Sequence, residues 1–240
     1  MEKSNARRFL DAYNTIDQSL RVQFNYKRSM GFSDMIRMSV PVNYIVRRYE
    51  DKLVDYGRLR NAIIHKSSDE FIIAEPHDDV VADLEKIAKL IATPPTALKA
   101  VSKNRVLTAN ANETVENIIK LMASSTFSNI PIYLENELMG VANGQKILNV
   151  LGNEIIKGKN ISEFIKDMKI KDILDVDYKP YSYFEVASSD STIEKVLGMF
   201  DKNRKLYIIL ITKTGSKNEL PLGIITAGDI IELNRIIENY

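Results

Sequence analysis

The sequence has 240 residues, of which 33 are Lys or Arg and 32 are Asp or Glu, and it contains two histidines and no cysteine. The absence of cysteine excludes disulfides, thiol nucleophiles and cysteine-ligated metal sites, and two histidines leave little room for a histidine-rich metal centre. We therefore expect no bound metal. The longest aliphatic or aromatic run, at residues 206–211, is far shorter than the roughly 20 residues that span a bilayer. This predicts a cytoplasmic protein without a membrane-spanning segment.

Positive charge is concentrated at the N-terminal end of the chain. Residues 1–66 hold nine of the 12 arginines and carry 13 basic against 7 acidic side chains. An arginine-rich segment suits an anionic partner, because the guanidinium group matches the geometry of a phosphate. A solvated helix surface with internal ion pairs explains the same composition, so both interpretations stay open.

The first part of the chain has the periodicity of amphipathic helices. Phe9, Tyr13, Ile16 and Leu20 recur every three or four residues and predict a first helix. Further helices are predicted over residues 34–40, 42–65 and 80–91. The Thr-Pro-Pro-Thr segment at residues 93–96 is typical of a linker. We therefore predict an all-α domain over residues 1–95 and a second domain over residues 96–240.

An internal repeat follows this linker. Residues 114–122 align with residues 192–200 as an amphipathic helix, and each is followed by two predicted strands and a closing helix. The predicted strands cover residues 129–134 and 138–142 in the first copy, and 205–211 and 222–226 in the second. One such unit cannot bury its sheet face alone, whereas two units side by side can. We predict repeat one at about residues 99–157 and repeat two at about residues 170–240, which gives an α+β fold class for the whole chain.

The second repeat contains a strand-to-helix junction with polar residues, Gly223-Ile-Ile-Thr-Ala-Gly-Asp229. Thr226 opens the predicted helix, where unpaired N–H groups and the helix dipole favour a phosphate. Asp229 can accept hydrogen bonds from both hydroxyls of a ribose. Alternatively, the two residues only cap the helix. The repeat and this motif together resemble the tandem CBS domain, also called a Bateman module, with its paired β-α-β-β-α units.

This resemblance covers about residues 97–240 and implies a regulatory site for an adenine nucleotide, such as AMP, ADP or ATP, or a related adenosyl ligand. It implies that Thr226 holds phosphate and Asp229 holds ribose. It also implies that the base meets the segment around Val186 and the strand at Tyr207.

The first repeat departs from the family pattern at the same junction. Its matching positions are Asn143 and Lys146, and a lysine cannot accept hydrogen bonds from ribose hydroxyls. The resemblance therefore implies at most one ribose-recognising site.

The predicted helix over residues 42–65 ends in Arg60-Asn-Ala-Ile-Ile-His65. Asn61 and His65 are four positions apart and share a helix face, with Arg60 beside them. This segment resembles the Arg–His motif of HEPN domains, over roughly residues 5–95. The resemblance implies a homodimer that cleaves RNA without a metal. His65 would act as general acid or base, Arg60 would stabilise phosphoryl charge, and Asn61 would orient His65 or contact phosphate. No feature indicates DNA specifically.

Two functions therefore stay open. In the first, the C-terminal module senses an adenine nucleotide and the helical dimer acts as a metal-independent endoribonuclease through Arg60, Asn61 and His65. In the second, the chain is a non-catalytic nucleotide-binding regulatory protein whose helical domain only dimerises or docks a partner. In that case His65 caps the helix C-terminus, where a cationic side chain is favourable.

Overall fold

The computed structural model describes residues 3–65, 74–100, 106–174 and 183–240, and at His65 it describes the backbone alone. The start of each predicted repeat thus lies partly outside the described residues. The helices are α1 (Asn5–Phe24), α2 (Phe32–Ser39), α3 (Tyr44–Arg48), α4 (Glu50–His65), α5 (Asp78–Ala92), α6 (Ala97–Ala100), α7 (Val115–Ser125), α8 (Gly144–Ile156), α9 (Ile161–Asp167), α10 (Ile193–Lys202) and α11 (Ile230–Glu238). The strands are β1 (Ala109–Asn110), β2 (Asn129–Leu134), β3 (Glu137–Asn143), β4 (Phe184–Ser188), β5 (Ile208–Thr212) and β6 (Gly223–Thr226).

The chain divides into two compact units that are not continuous in sequence. The helical unit comprises Met1–Ala100, Ser191–Lys202 and Ile230–Tyr240, and the sheet unit comprises Val101–Asp190 and Asn203–Asp229. The helices α10 and α11, which belong to the predicted second repeat, are thus grouped with the N-terminal helices. No helix in the described part of the chain is both long and apolar enough to cross a membrane.

Helix α1 is capped at both ends. The Ser4 hydroxyl accepts a hydrogen bond from the Arg7 N–H at 3.3 Å, and Asn25 stops the helix in the left-handed conformation at φ 53°. Its predicted apolar stripe is buried, with Phe9, Ile16 and Leu20 completely inaccessible. This stripe packs on α5 and α4 and forms the core of the helical unit.

The long helix predicted over residues 42–65 is two helices, α3 and α4. Tyr49 separates them because its backbone, at φ −114° and ψ 19°, leaves the helical region. The backbone hydrogen bonds continue across the break, since the Tyr49 N–H donates to Ile45 and its carbonyl accepts from Leu53. The break inserts no extra residue, and the apolar periodicity therefore runs through it unchanged.

Helix α3 also contacts the two C-terminal helices within the helical unit. Arg47 forms an ion pair with Asp201 of α10 at 2.8 Å. Arg48 donates to the side chain of Asn234 at 2.7 Å and to that of Glu238 at 2.6 Å, and both acceptors belong to α11. From α5, Lys86 donates to the carbonyl of Glu238, and Lys89 donates to that of Tyr240 at 2.8 Å. Polar side chains of α3 and α5 therefore hold α11 along its C-terminal turns.

The sheet unit contains two three-stranded sheets of identical topology. The strand orders are β1-β2-β3 and β4-β5-β6, and in each sheet the first pair is parallel and the second antiparallel. A helix separates the parallel strands in sequence, as a parallel connection requires. The element order in both repeats is therefore β-α-β-β-α, and the predicted α+β fold class is confirmed.

Two apolar clusters hold the sheet unit together. One is built mainly from the first repeat, with Val115, Ile118, Ile130 and Ile147, and it also contains Ile170. The other joins the two repeats, and its buried members are Tyr133, Leu138, Val141, Ile208 and Leu210. The Tyr183 hydroxyl donates to the carbonyl of Val141, and the Leu138 N–H donates to that of Lys217 at 2.9 Å. The two sheets thus bury their faces against each other, as the repeat predicts.

Candidate functional site

The side chain of Asp229 caps the junction after strand β6. Thr226 ends the strand, a 3-10 turn covers Ala227–Asp229, and α11 starts at the next residue. The carboxylate oxygen Oδ2 of Asp229 accepts hydrogen bonds from the Thr226 N–H at 2.7 Å and from the Thr226 hydroxyl at 2.8 Å. An acidic residue three positions on that reaches back to the first N–H is one half of a capping box, and the Thr226 hydroxyl here donates to the same carboxylate. Within the described chain, the second oxygen of Asp229 makes no hydrogen bond, so it stays available to a ligand.

Thr226 and Asp229 line a cavity of about 560 Å³ between the two repeats. This volume falls in the usual range for small-molecule sites, roughly 300–1,000 Å³. The second repeat also contributes Tyr207 and Ile224, and the Tyr207 side chain is 60% exposed. The first repeat contributes Val106, Leu107, Thr126, Phe127, Ser128, Asn129 and Asn143. The cavity thus combines two accessible aromatic rings, two amides and one carboxylate.

Three of the four residues predicted for ligand binding meet in this cavity, namely Thr226, Asp229 and Tyr207. Val186 lies elsewhere. It pairs with Leu210 in the parallel ladder of β4 and β5 and packs against the apolar cluster between the sheets. Val186 is therefore a partly buried packing residue of the edge strand β4, and it does not line the cavity.

The residues of the first repeat that line this cavity were not predicted from the sequence. Asn143 matches Thr226 in the repeat, and its amide donates to the Asn129 side chain at 2.7 Å while its oxygen accepts from the Lys146 N–H at 3.1 Å. The alignment of the repeats identifies Asn143, but it gives no sign that this residue faces the same cavity as Thr226. That proximity follows only from the way the two sheets pack.

The position that corresponds to Asp229 in the first repeat is occupied differently. The ammonium group of Lys146 lies 3.9 Å from the centre of the Tyr183 ring, which is a cation–π distance. The two repeats therefore differ at this position, where the second offers the carboxylate of Asp229 and the first has the ammonium group of Lys146.

A second cavity, of about 540 Å³, lies among the N-terminal helices. Arg60 and Asn61 both line it, and Arg60 donates to the Asn61 side chain at 3.3 Å. The Arg60 guanidinium lies 5.6 Å from the centre of the Tyr13 ring, and burial raises the pKa of Tyr13 to about 12. The Nε of Arg60 is buried and has no hydrogen-bond partner in the described chain. His65 ends α4, but its side chain lies outside the described residues.

The described residues contain no group of three or more His, Cys, Asp or Glu side chains that could hold a metal ion.

Comparison with known proteins identifies part of the chain. Residues 98–153 match the family model of the CBS domain. This match covers the first repeat and confirms the CBS resemblance there, and the second repeat has the same element order. The match lies outside residues 1–95, so the HEPN resemblance stays a prediction. Comparison with curated proteins gave no match.

Three of the similar solved structures illustrate the likeness. A CBS domain-containing protein from Kribbella flavida is 12% identical, with a TM-score of 0.47, and the alignment covers 59% of this chain and 99% of that one. CBSX2, solved with AMP, is 18% identical with a TM-score of 0.44, covering 60% and 98%. The CBS domain pair of MJ0100, solved with 5-methylthioadenosine and S-adenosyl-L-methionine, is 16% identical with a TM-score of 0.40, covering 61% and 98%. At these TM-scores the likenesses support no statement about function.

Proposed function

We propose that this chain is a regulatory protein that senses an adenine nucleotide or a related adenosyl ligand in the cavity between the two repeats. The observation that carries the proposal is the Thr226–Asp229 junction. One oxygen of Asp229 fixes the junction through Thr226, and the other has no partner in the described chain. A carboxylate held in one orientation accepts hydrogen bonds from two neighbouring ribose hydroxyls with little further loss of side-chain entropy.

The rest of the cavity suits a flat heteroaromatic base. Tyr207 and Phe127 are 60% and 52% exposed, and both line the cavity. Stacking of a base on an exposed aromatic ring is favourable, because the contacting faces of the ring and of the base are both removed from water. Leu107 and Ile224 add apolar wall, and the amides of Asn129 and Asn143 offer donors and acceptors to the edge of a base. We assign Tyr207 and Thr226, with Asp229, to the ligand site, and Val186 to the packing behind it.

Isothermal titration calorimetry with AMP, ADP, ATP, S-adenosylmethionine and 5-methylthioadenosine tests the proposal. We expect saturable binding of at least one of these ligands, at one site per chain. In Asp229→Ala the affinity should fall roughly 10- to 100-fold, because two hydrogen bonds to a charged acceptor are lost.

Thr114→Ala is the matched control for that variant. Thr114 caps α7 by accepting from the Asn117 N–H at 3.2 Å, and it does not line the cavity. It should lower stability by about 1 kcal/mol, as the loss of a cap does, and leave affinity unchanged. Absence of heat with all five ligands, or equal affinity of Asp229→Ala and wild type, would contradict the proposal.

A second candidate function is metal-independent RNA cleavage by a homodimer of the helical unit, with Arg60, Asn61 and His65 as the reacting groups. The cavity lined by Arg60 and Asn61 favours it, because a guanidinium group and an amide beside open space can both donate hydrogen bonds to a phosphate. The alternative is that the helical unit only dimerises or docks a partner.

Cleavage assays on varied RNAs in the presence of EDTA, run alongside sedimentation velocity, separate these alternatives. Wild type should cut RNA as a dimer, and His65→Ala and Arg60→Ala should lose at least about 100-fold in rate, since each removes an acid–base or charge-stabilising group. Arg7→Ala serves as the control, because Arg7 is 70% exposed and lies outside the cavity. If wild type and His65→Ala are equally inactive on every RNA, the helical unit is not a ribonuclease of this type.

A further inference from the structure

We infer that a groove in the helical unit binds an acidic peptide segment of a partner protein, in which an apolar side chain lies between two carboxylates. This inference does not rest on the proposed nucleotide site. The groove is a cavity of about 450 Å³, lined by α10, by the C-terminal end of α1, by residues 40–43 between α2 and α3, and by α3 itself. All of these elements belong to the helical unit.

Helix α10 contributes an apolar strip between two ammonium groups. The residues that line the groove from this helix include Lys195, Gly198, Met199 and Lys202. Their spacing of three, four and seven positions places them on one helix face. Both lysines are exposed, whereas Gly198 and Met199 are partly buried. A Cβ atom added at Gly198 would meet open space, so a side chain from a partner has room at the middle of the strip.

Four apolar residues line the groove from the other elements. Phe24 belongs to α1, and Val40, Pro41 and Val42 belong to the segment before α3. Val42 is 55% exposed, so this apolar surface can be reached from solvent. Covering it with an apolar side chain is favourable, because both surfaces are removed from water. The groove therefore suits an occupant with an apolar side chain at its centre.

Two charged residues of the lining make contacts within the helical unit. The carboxylate of Glu194 accepts from the Tyr44 N–H at 2.8 Å and from the Thr192 hydroxyl at 3.3 Å. Arg47 forms its ion pair with Asp201 at 2.8 Å. These contacts join α3 to α10 and hold two walls of the groove in place. An occupant thus meets a surface that is already ordered, which lowers the entropic cost of binding.

The two exposed lysines set the charge and the length of the occupant. Lys195 and Lys202 are seven positions apart on α10, so their backbones are about 10 Å apart at 1.5 Å per residue. In an extended peptide, residues i, i+2 and i+4 lie on one face, and the outer two are about 13 Å apart. The long lysine side chains cover this difference. A segment of the form acid-x-apolar-x-acid therefore brings its carboxylates to the ammonium groups and its apolar side chain to Gly198.

Fluorescence anisotropy on the full chain with labelled peptides tests the inference. The probes are GESLSEG and GESFSEG, in which two glutamates flank a leucine or a phenylalanine. We expect saturable binding of at least one probe, and weaker binding at high salt, where the charges are screened. Affinity should fall at least about tenfold in GQSLSQG, which lacks the charges, and in GESSSEG, which lacks the apolar side chain.

Variants of the groove separate specific binding from general attraction between charges. Gly198→Leu fills the centre of the groove and should weaken binding at least about tenfold. Gly152→Leu is the matched control, because Gly152 lies within α8, outside the groove, and a Cβ atom there also meets open space. Both changes replace a glycine inside a helix by a strong helix former, so both variants should fold.

A charge exchange tests the two lysines directly. The double variant Lys195→Glu, Lys202→Glu should lose at least about tenfold in affinity for GESLSEG and should bind GKSLSKG instead, because the signs of all four charges are exchanged. Lys166→Glu on α9 is the control, since Lys166 is exposed and lies outside the groove. It should leave the preference for GESLSEG unchanged.

The results support or overturn the inference as follows. Loss of binding in Gly198→Leu but not in Gly152→Leu, together with the exchanged preference of the double lysine variant, supports it. Equal affinity of all variants for GESLSEG, or no binding of either probe, overturns it. Binding of decanoate or of a short RNA that Gly198→Leu abolishes, without binding of a peptide, also overturns it and assigns the groove to a different anion. None of these results bears on the nucleotide site.

Discussion

Arg48 lies where helix α3 meets helix α11, and its guanidinium makes two directed contacts there. It donates to Asn234 at 2.7 Å and to Glu238 at 2.6 Å. A hydrogen bond to a charged group contributes about 1.5–3 kcal/mol, but Asn234 keeps a second partner in the Tyr44 hydroxyl at 3.2 Å. The Glu238 side chain is 56% exposed, so its ion pair is worth at most about 1 kcal/mol. Together these give a loss of about 2 kcal/mol in unfolding free energy for Arg48→Ala.

Urea unfolding followed by far-ultraviolet circular dichroism measures this loss. Arg58→Ala is the matched control, because Arg58 is 77% exposed and its ion pair with Asp55, at 2.9 Å, lies within a single helix. Such a surface pair contributes about 0.3–0.5 kcal/mol. A double-mutant cycle with Glu238→Ala then isolates the ion pair, which should couple by about 0.5–1 kcal/mol. If Arg48→Ala and Arg58→Ala unfold at the same urea concentration, α3 does not hold α11 in the way described.

Three further predictions follow from buried groups. In Tyr56→Phe the loss of the hydroxyl that donates to Asp83 at 2.6 Å should cost about 1 kcal/mol in urea unfolding. Burial raises the pKa of both Tyr13 and Tyr133 to about 12, whereas an unfolded tyrosine titrates near 10. Their stabilising contribution is therefore complete below about pH 10 and lost as the pH rises towards 12. In Tyr13→Phe or Tyr133→Phe the urea midpoint should therefore fall less between about pH 10 and 12 than it does in wild type. A fall as large as that of wild type would contradict the burial of the tyrosine. Ile208→Ala in the cluster between the sheets should cost about 2–5 kcal/mol in thermal or urea unfolding.

Local patterns predicted the elements well, because short-range geometry decides them. The strand predicted at residues 129–134 is β2 with the same bounds, and the apolar stripe of the first helix is buried as expected. The break at Tyr49 escaped prediction because it preserves the apolar period and the backbone hydrogen bonds. Periodicity reports which side of the chain is apolar, and it does not report a change of helix axis.

Contacts between distant segments were beyond the reach of the sequence. Thr226 and Asp229 stood out because their motif is local, but Phe127 and Asn129 reach the same cavity only through the packing of one sheet on the other. The grouping of α10 and α11 with the N-terminal helices depends on pairs such as Arg47 with Asp201. A chain with this many charged residues offers many such pairings, and composition alone does not choose among them.

The helical unit draws on both ends of the chain, which sets the order of events during synthesis. Arg48 and Glu238 are 190 positions apart, and Lys89 and Tyr240 are 151 apart. A ribosome adds about 5–20 residues per second, so α3 emerges roughly ten seconds or more before the helix it binds. Until then, the cationic side chains of α3 and α5 are solvated by water. The docking of α11 on α3 and α5 is therefore a late step that joins residues far apart in sequence. We expect it to follow the pairing of the strands in both sheets.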